Sequence, residues 1–180
     1  GTVAQSAAGP EISKAKMAME LKTEYAVWAI GTDGRSIGFT DRRSGKDCCI
    51  QPRTPFARLK KAGREYDVTA ASAQAGKLTL DFGDSGVRAV LEAKAEKHYF
   101  TLEVVSVTGD GVDELSFVNI QLSLKGDLGE SFAACALALN LRTNVPELPR
   151  SNSRLRAMCY PRFGFTGAKV AILACLPKEL

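Results

Sequence analysis

Residues 86–124, GVRAVLEAKAEKHYFTLEVVSVTGDGVDELSFVNIQLSL, decide the fold class. They read as three successive strands, broken first by a charged turn around Lys97 and His98 and then by the glycine turn Gly109-Asp110-Gly111. In the last strand Val118, Ile120, Leu122 and Leu124 fall on one face and Asn119, Gln121 and Ser123 on the other. That period of two is the mark of a half-buried sheet.

The same pattern extends in both directions. Leu78, Leu80 and Phe82 alternate with Lys77, Thr79 and Asp81, and Tyr66, Val68 and Ala70 alternate with Glu65, Asp67 and Thr69. Asp33-Gly34 accepts positive φ at low cost, so residues 31–35 read as a hairpin turn leading back through Ile37 and Phe39. Residues 41–45, DRRSG, make a second turn, and the proline-containing piece 51–55 reads as a crossing between layers. Nearer the start, Met17, Met19, Leu21, Tyr25, Val27 and Ala29 alternate with charged residues as one strand. A helix competes there, because Met17, Leu21, Tyr25 and Trp28 also have near-helical spacing. Downstream, SFAACALALNL (131–141) and GAKVAILACL (167–176) are apolar on both faces and read as strands covered on both sides. A helix is the alternative for the first of these, since Ala and Leu favour it.

Short strands at intervals of roughly ten residues with turns between them predict an antiparallel β-sandwich and exclude an alternating βαβ architecture. The expected core draws on Val27, Phe39, Leu78, Leu80, Phe82, Leu91, Phe100, Leu102, Val118, Ile120 and Leu122. Residues 1–14, rich in Ala, Ser, Gly and Pro, read as a flexible arm, and 15–180 as one sandwich domain. The run 167–176 ends four residues before the sequence does, from which we expect the domain to be excised from a longer chain.

At 180 residues the chain is long enough to bury about 70% of its unfolded surface. A formal charge of +4 does not favour nucleic-acid binding, and no run of about 18 apolar residues offers a membrane span. The five cysteines, Cys48, Cys49, Cys135, Cys159 and Cys175, have no C-x-x-C spacing, and His98 is the single histidine. We therefore expect buried thiols, no metal and no cofactor.

No motif carries catalysis. Gly109-Asp110-Gly111 lacks the third glycine of a dinucleotide fingerprint, Gly83-Asp84-Ser85-Gly86 is not a nucleophile elbow, and one histidine cannot serve a serine triad and a second role. Recognition is expected from the polar segment 142–165, which reads as a long surface loop. Its candidates for binding carbohydrate or docking a neighbouring domain are Arg142, Asn144, Asn152, Arg156, Tyr160, Arg162 and Phe163. Guanidinium groups and an exposed ring suit sugar hydroxyls and ring faces. Trp28 is a further aromatic, with core packing favoured for it.

The order of elements, TDGRSIGFTDRRSGK followed by LTLDFGDSGVRAVLEAKAEKHYFTLEVVSV and DELSFVNIQLSL, resembles the galactose-mutarotase-like supersandwich. The resemblance implies a non-catalytic N-terminal β-sandwich of a multidomain glycoside hydrolase, packed on a downstream catalytic domain of the same chain and secreted or periplasmic. Free-standing sugar epimerases with this fold use two histidines and a carboxylate, a set this chain does not contain. A sandwich serving protein contacts or oligomerisation is the alternative. The particular carbohydrate, the oligomeric state and the pairing of the cysteines are not legible in the residues.

Overall fold

The computed structural model describes residues 16–127 and 129–180, so the expected arm at 1–14 lies outside the described residues. Thirteen strands follow one another: β1 (Met17–Lys22), β2 (Ala26–Gly31), β3 (Ser36–Asp41), β4 (Arg58–Lys61), β5 (Arg64–Asp67), β6 (Ala70–Gln74), β7 (Lys77–Asp81), β8 (Arg88–Ala95), β9 (Tyr99–Thr108), β10 (Val112–Gln121), β11 (Ala133–Ala138), β12 (Arg154–Cys159) and β13 (Lys169–Cys175). Among the described residues helix is confined to short 3-10 turns such as Pro161–Phe163. The fold is all-β and antiparallel, and no described helix is long and apolar enough to cross a membrane.

The strands form three sheets, ordered β1-β2-β3, β12-β10-β4-β5 and β11-β13-β9-β8-β7-β6. Their inner faces share one apolar core. Leu80, Leu91, Phe100, Leu102 and Ile172 come from the six-stranded sheet, and Leu59, Leu115, Val118, Ile120 and Leu155 from the four-stranded sheet. Trp28, Ile30 and Phe39 come from the three-stranded sheet. Trp28 lies edge-on to Phe56 at 5.8 Å and tilted against Phe100 at 6.1 Å, and its indole N–H donates to Ser36 Oγ at 3.3 Å. This is the arrangement a buried tryptophan needs, with ring contacts on its faces and a partner for its single donor.

The three strands of 86–124 are present but do not share a sheet. β8 and β9 pair in the six-stranded sheet, whereas β10 belongs to the four-stranded one. The chain changes layer at Gly109-Asp110-Gly111, where both glycines take positive φ, 117° and 75°. In β10 a register shift between Ser116 and Val118 leaves both Phe117 and Val118 facing apolar neighbours, while Asn119 stays on the opposite face. Bulges of this kind turn a strand and redirect its side chains.

Several expectations need correction. The single strand expected over 17–29 is a hairpin, β1 and β2, because Thr23 Oγ1 accepts the N–H groups of Tyr25 and Ala26 at 3.2 and 3.0 Å and closes a turn there. That turn shifts the parity, so Ala26, Trp28 and Ile30 point inward and Val27 is only half-buried. The other ten expected core residues are buried. The strand expected through Tyr66, Val68 and Ala70 is two, β5 and β6, in different sheets. SFAACALALNL, by contrast, contains β11, the strand expected there, and not the competing helix. Finally, the expected long loop 142–165 contains β12, whose Leu155, Ala157 and Cys159 are fully buried against the core.

Candidate functional site

The pairing register of the four-stranded sheet determines what its outer face presents. Ser116 stands opposite Met158 and Arg58, Asn119 opposite Arg156, Glu114 opposite Lys60, and Lys60 opposite Glu65. Period-two alternation therefore gathers Arg154, Arg156 and Met158 of β12, Glu114, Ser116 and Asn119 of β10, Arg58 and Lys60 of β4 and Glu65 of β5 onto one surface. These residues line a depression of about 140 Å³.

Most charges on this face are paired. Arg58 Nε lies 2.6 Å from Asp67 Oδ1, and Lys60 Nζ lies 3.9 Å from Glu65 and 3.8 Å from Glu114. Those pairs are well exposed at one or both partners and hold their geometry more than they stabilise the fold. Arg156 is more enclosed: its Nε donates to Glu147 Oε1 at 2.6 Å, with the Glu147 side chain only 13% exposed. Two acceptors around it are buried without any partner, Glu147 Oε2 and Asn119 Oδ1. Asn119 is 8% exposed, and its backbone N–H donates to Phe56 O at 2.6 Å, which fixes the strand beneath it. Buried acceptors without a protein donor are uncommon and costly, and a water or a ligand hydroxyl would supply the missing donor at each of these two.

Of the residues singled out in the sequence, Arg156 alone lines this depression. Asn144 bridges to Met158 at the free edge of β12, and its side-chain amide donates to Tyr160 Oη at 3.1 Å. Tyr160 is half-buried and extended (φ −133°, ψ 149°), continuing the alternation of β12. Asn152 is structural, its amide donating to Leu148 O and Arg150 O at 2.8 and 2.7 Å. Arg142, Arg162 and Phe163 sit apart, where residues 139–143 meet 161–167. There Arg142 Nη1 donates to Thr166 O at 3.0 Å, and the Arg162 guanidinium stands 5.3 Å over the Phe163 ring. Leu141 beside them is 98% exposed and Phe163 is 51% exposed. Trp28, fully buried, offers no platform.

Arg58, Lys60, Glu114, Asn119 and Glu147 escaped the sequence reading as site residues. The available signal was parity: Asn119 lies on the outer face of the clearest strand, and Arg154, Arg156 and Met158 alternate with Leu155, Ala157 and Cys159.

The side chains that line the depression are chiefly charged groups and hydrogen-bond donors and acceptors. Among the described residues Ser116 is the hydroxyl that lines it, and no imidazole or thiol does. His98 is at the turn between β8 and β9, exposed, with Nε2 2.9 Å from Glu24 Oε2. The five cysteines are free and buried. Burial pushes the thiols of Cys49 and Cys135 up to about 11 and that of Cys159 up to about 12, away from the thiolate a nucleophile requires. These thiols ionise at their ordinary value of 9.0 in the unfolded chain but later in the folded one, so the folded state holds more protons at alkaline pH. The stability they contribute is complete below pH 9 and is lost as pH rises towards the folded values. Calorimetric melting temperatures should therefore fall between about pH 9 and 12, and Cys159→Ala should make that fall shallower. An unchanged slope in the variant would count against burial of this thiol.

The fold and this face define a β-sandwich with a polar, ion-paired sheet surface. Among solved structures, one similar to the chain is described as a galactose mutarotase related enzyme from Lactobacillus acidophilus. It is 8% identical, with a TM-score of 0.32, over 86% of this chain and 83% of that one. No protein-family model matches the chain, and no curated protein sequence matches it.

Proposed function

We propose that the domain is a non-catalytic carbohydrate-recognition module of a carbohydrate-active enzyme, and that the outer face of the four-stranded sheet holds the sugar. The observation that carries this reading is the pair of unpartnered buried acceptors, Asn119 Oδ1 and Glu147 Oε2, on either side of Arg156. Sugar hydroxyls supply donors to such acceptors and take hydrogen bonds from arginine in return. Binding here is by polar contacts and not by stacking, since no aromatic ring lines the depression. The glycoside hydrolase that the sequence order suggests as parent would place the module outside the cytoplasm, where polysaccharide is met.

A second reading, docking on a catalytic domain or another protein, is favoured by a different observation: Leu139, Leu141, Leu148 and Phe163 are exposed at 48, 98, 66 and 51% on the loops flanking β12. The two readings use different residues. A glycan panel against the isolated domain separates them. Arg156→Ala should weaken glycan binding at least tenfold, the effect of losing a charge-assisted hydrogen bond of about 1.5 to 3 kcal/mol. Leu141→Ser should leave glycan binding unchanged. Absence of binding to any glycan by a folded wild-type domain would remove the carbohydrate reading and leave the docking one.

A further inference from the structure

Resting on that reading of the polar face, we infer that the polysaccharide it takes is acidic, a chain of uronate sugars, running along β12. The charge distribution is the reason. Between Leu139 and Lys169 stand Arg142, Arg150, Arg154, Arg156, Arg162 and Lys169, against the one carboxylate of Glu147. That segment carries a surplus of five positive charges where the whole chain carries four, so the remainder of the molecule is slightly acidic.

The fold divides this surplus between the outer face of β12, which carries Arg154 and Arg156, and the tip near Phe163, which carries Arg142 and Arg162. Arg154 and Arg156 project outward two residues apart on β12, roughly 7 Å along the strand. The bridge between Asn144 and Met158 lays the preceding segment along the free edge of β12, and Arg162 follows just past its end. Glu147 is committed to Arg156 at 2.6 Å. Among the described residues no carboxylate lies within 4.0 Å of Arg142, Arg150, Arg154 or Arg162, whereas Arg58 and Lys60 across the depression are neutralised by Asp67, Glu65 and Glu114. In the depression itself the uncompensated charge is that of Arg154, on the β12 side, in the same lining as the nine-tenths buried Asn119 with its unpartnered Oδ1. Uronate units answer both features at once: carboxylates meet the forked guanidinium donors, and hydroxyls reach the amide. A repeating anion that meets Arg154 at the depression extends to the arginines of the flanking loops, which a single neutral sugar cannot do.

The test is affinity electrophoresis and calorimetry of the whole chain with polygalacturonate and alginate, alongside galactan and mannan of matched length. Duplex DNA and phosphatidylglycerol vesicles at the same salt serve as other polyanions. Binding to at least one uronan should be tenfold or more tighter than to either neutral glycan, and tighter than to DNA or vesicles. It should weaken with added sodium chloride, and the exposed-site variants Arg154→Gln and Arg150→Gln should each lose several-fold while melting as the wild type does. Equal or tighter binding of a neutral glycan would overturn the inference and leave carbohydrate recognition standing. Uronan binding that survives both substitutions, or that DNA or vesicles match, overturns it as well. No binding of any glycan removes the inference and the reading on which it rests.

Discussion

Trp28→Ala should lower the free energy of unfolding by about 3 to 5 kcal/mol, the range for deleting a buried aromatic side chain. Trp28 is fully buried where the three-stranded sheet meets the other two, in contact with Phe56 and Phe100, and Phe39 joins the cluster by packing on Phe100 at 6.4 Å and Phe132 at 6.4 Å. Its removal opens a void lined by rings attached to three different strands or loops, which cannot all move inward together. It also strips Ser36, itself fully buried, of the indole donor. For a domain of this length the melting temperature should fall on the order of 10 °C. Trp28→Phe keeps most of the volume and should lose distinctly less. A Trp28→Ala protein that melts within about 2 °C of wild type would mean that the sheets do not pack through this residue.

Gly109→Ala should be among the most damaging glycine substitutions of the described residues. The backbone there has φ +117°, and a Cβ would lie 2.7 Å from Gly86 O and 3.1 Å from Val87 Cα. Both are backbone atoms of the segment entering β8, so neither has a flexible end that swings aside. The conformation alone costs about 1 to 3 kcal/mol for a residue with a Cβ, and relief of the overlap adds to it. Gly111, two residues on, provides the control. It too has positive φ, 75°, but an added Cβ meets only the flexible Lys61 side chain at 3.6 Å. Gly111→Ala should cost about 1 kcal/mol, chiefly from the left-handed backbone. Denaturant titrations of the two variants should separate clearly. Equal losses would show that the crossing from β9 to β10 is not the tight corner described here.

What the residues revealed, and what they hid, follows from how far each feature depends on contacts distant in sequence. Alternation in β7, β9 and β10 is local, and it located Leu78, Leu80, Phe100, Leu102, Val118 and Ile120 in the core correctly. The assignment of Val27 failed because a hydroxyl, Thr23 Oγ1, turns the chain within a run whose spacing looks continuous. β12 was hidden by composition: arginines, serines and prolines around it read as a loop, although Arg154, Leu155, Arg156, Ala157, Met158 and Cys159 alternate cleanly. That strand needs β10 as a partner, and β10 is more than thirty residues away.

The candidate site was the least legible part for the same reason. Arg156 was named as a candidate from its type, but its setting was not, because Asn119 and Glu147 come beside it from separate segments through sheet register and a loop return. The other arginines and Tyr160 were grouped by nearness in sequence, whereas the fold divides them between the edge of β12 and the tip near Phe163. Placing the candidate residues on a strand instead of a loop changes what the proposed recognition would require: side chains held in position by sheet register.

The central claim, that recognition belongs to the outer face of β10 and β12, is tested most directly by amide chemical-shift mapping of the isotope-labelled protein titrated with the glycan that binds it. The largest shifts should fall on Ser116, Asn119, Arg154, Arg156 and Met158, with the Asn119 side-chain amide among them, and the turn bearing His98 should not move. Shifts centred on Leu141 and Phe163, or on the outer face of the six-stranded sheet, with the β10 and β12 amides unmoved, would contradict the account.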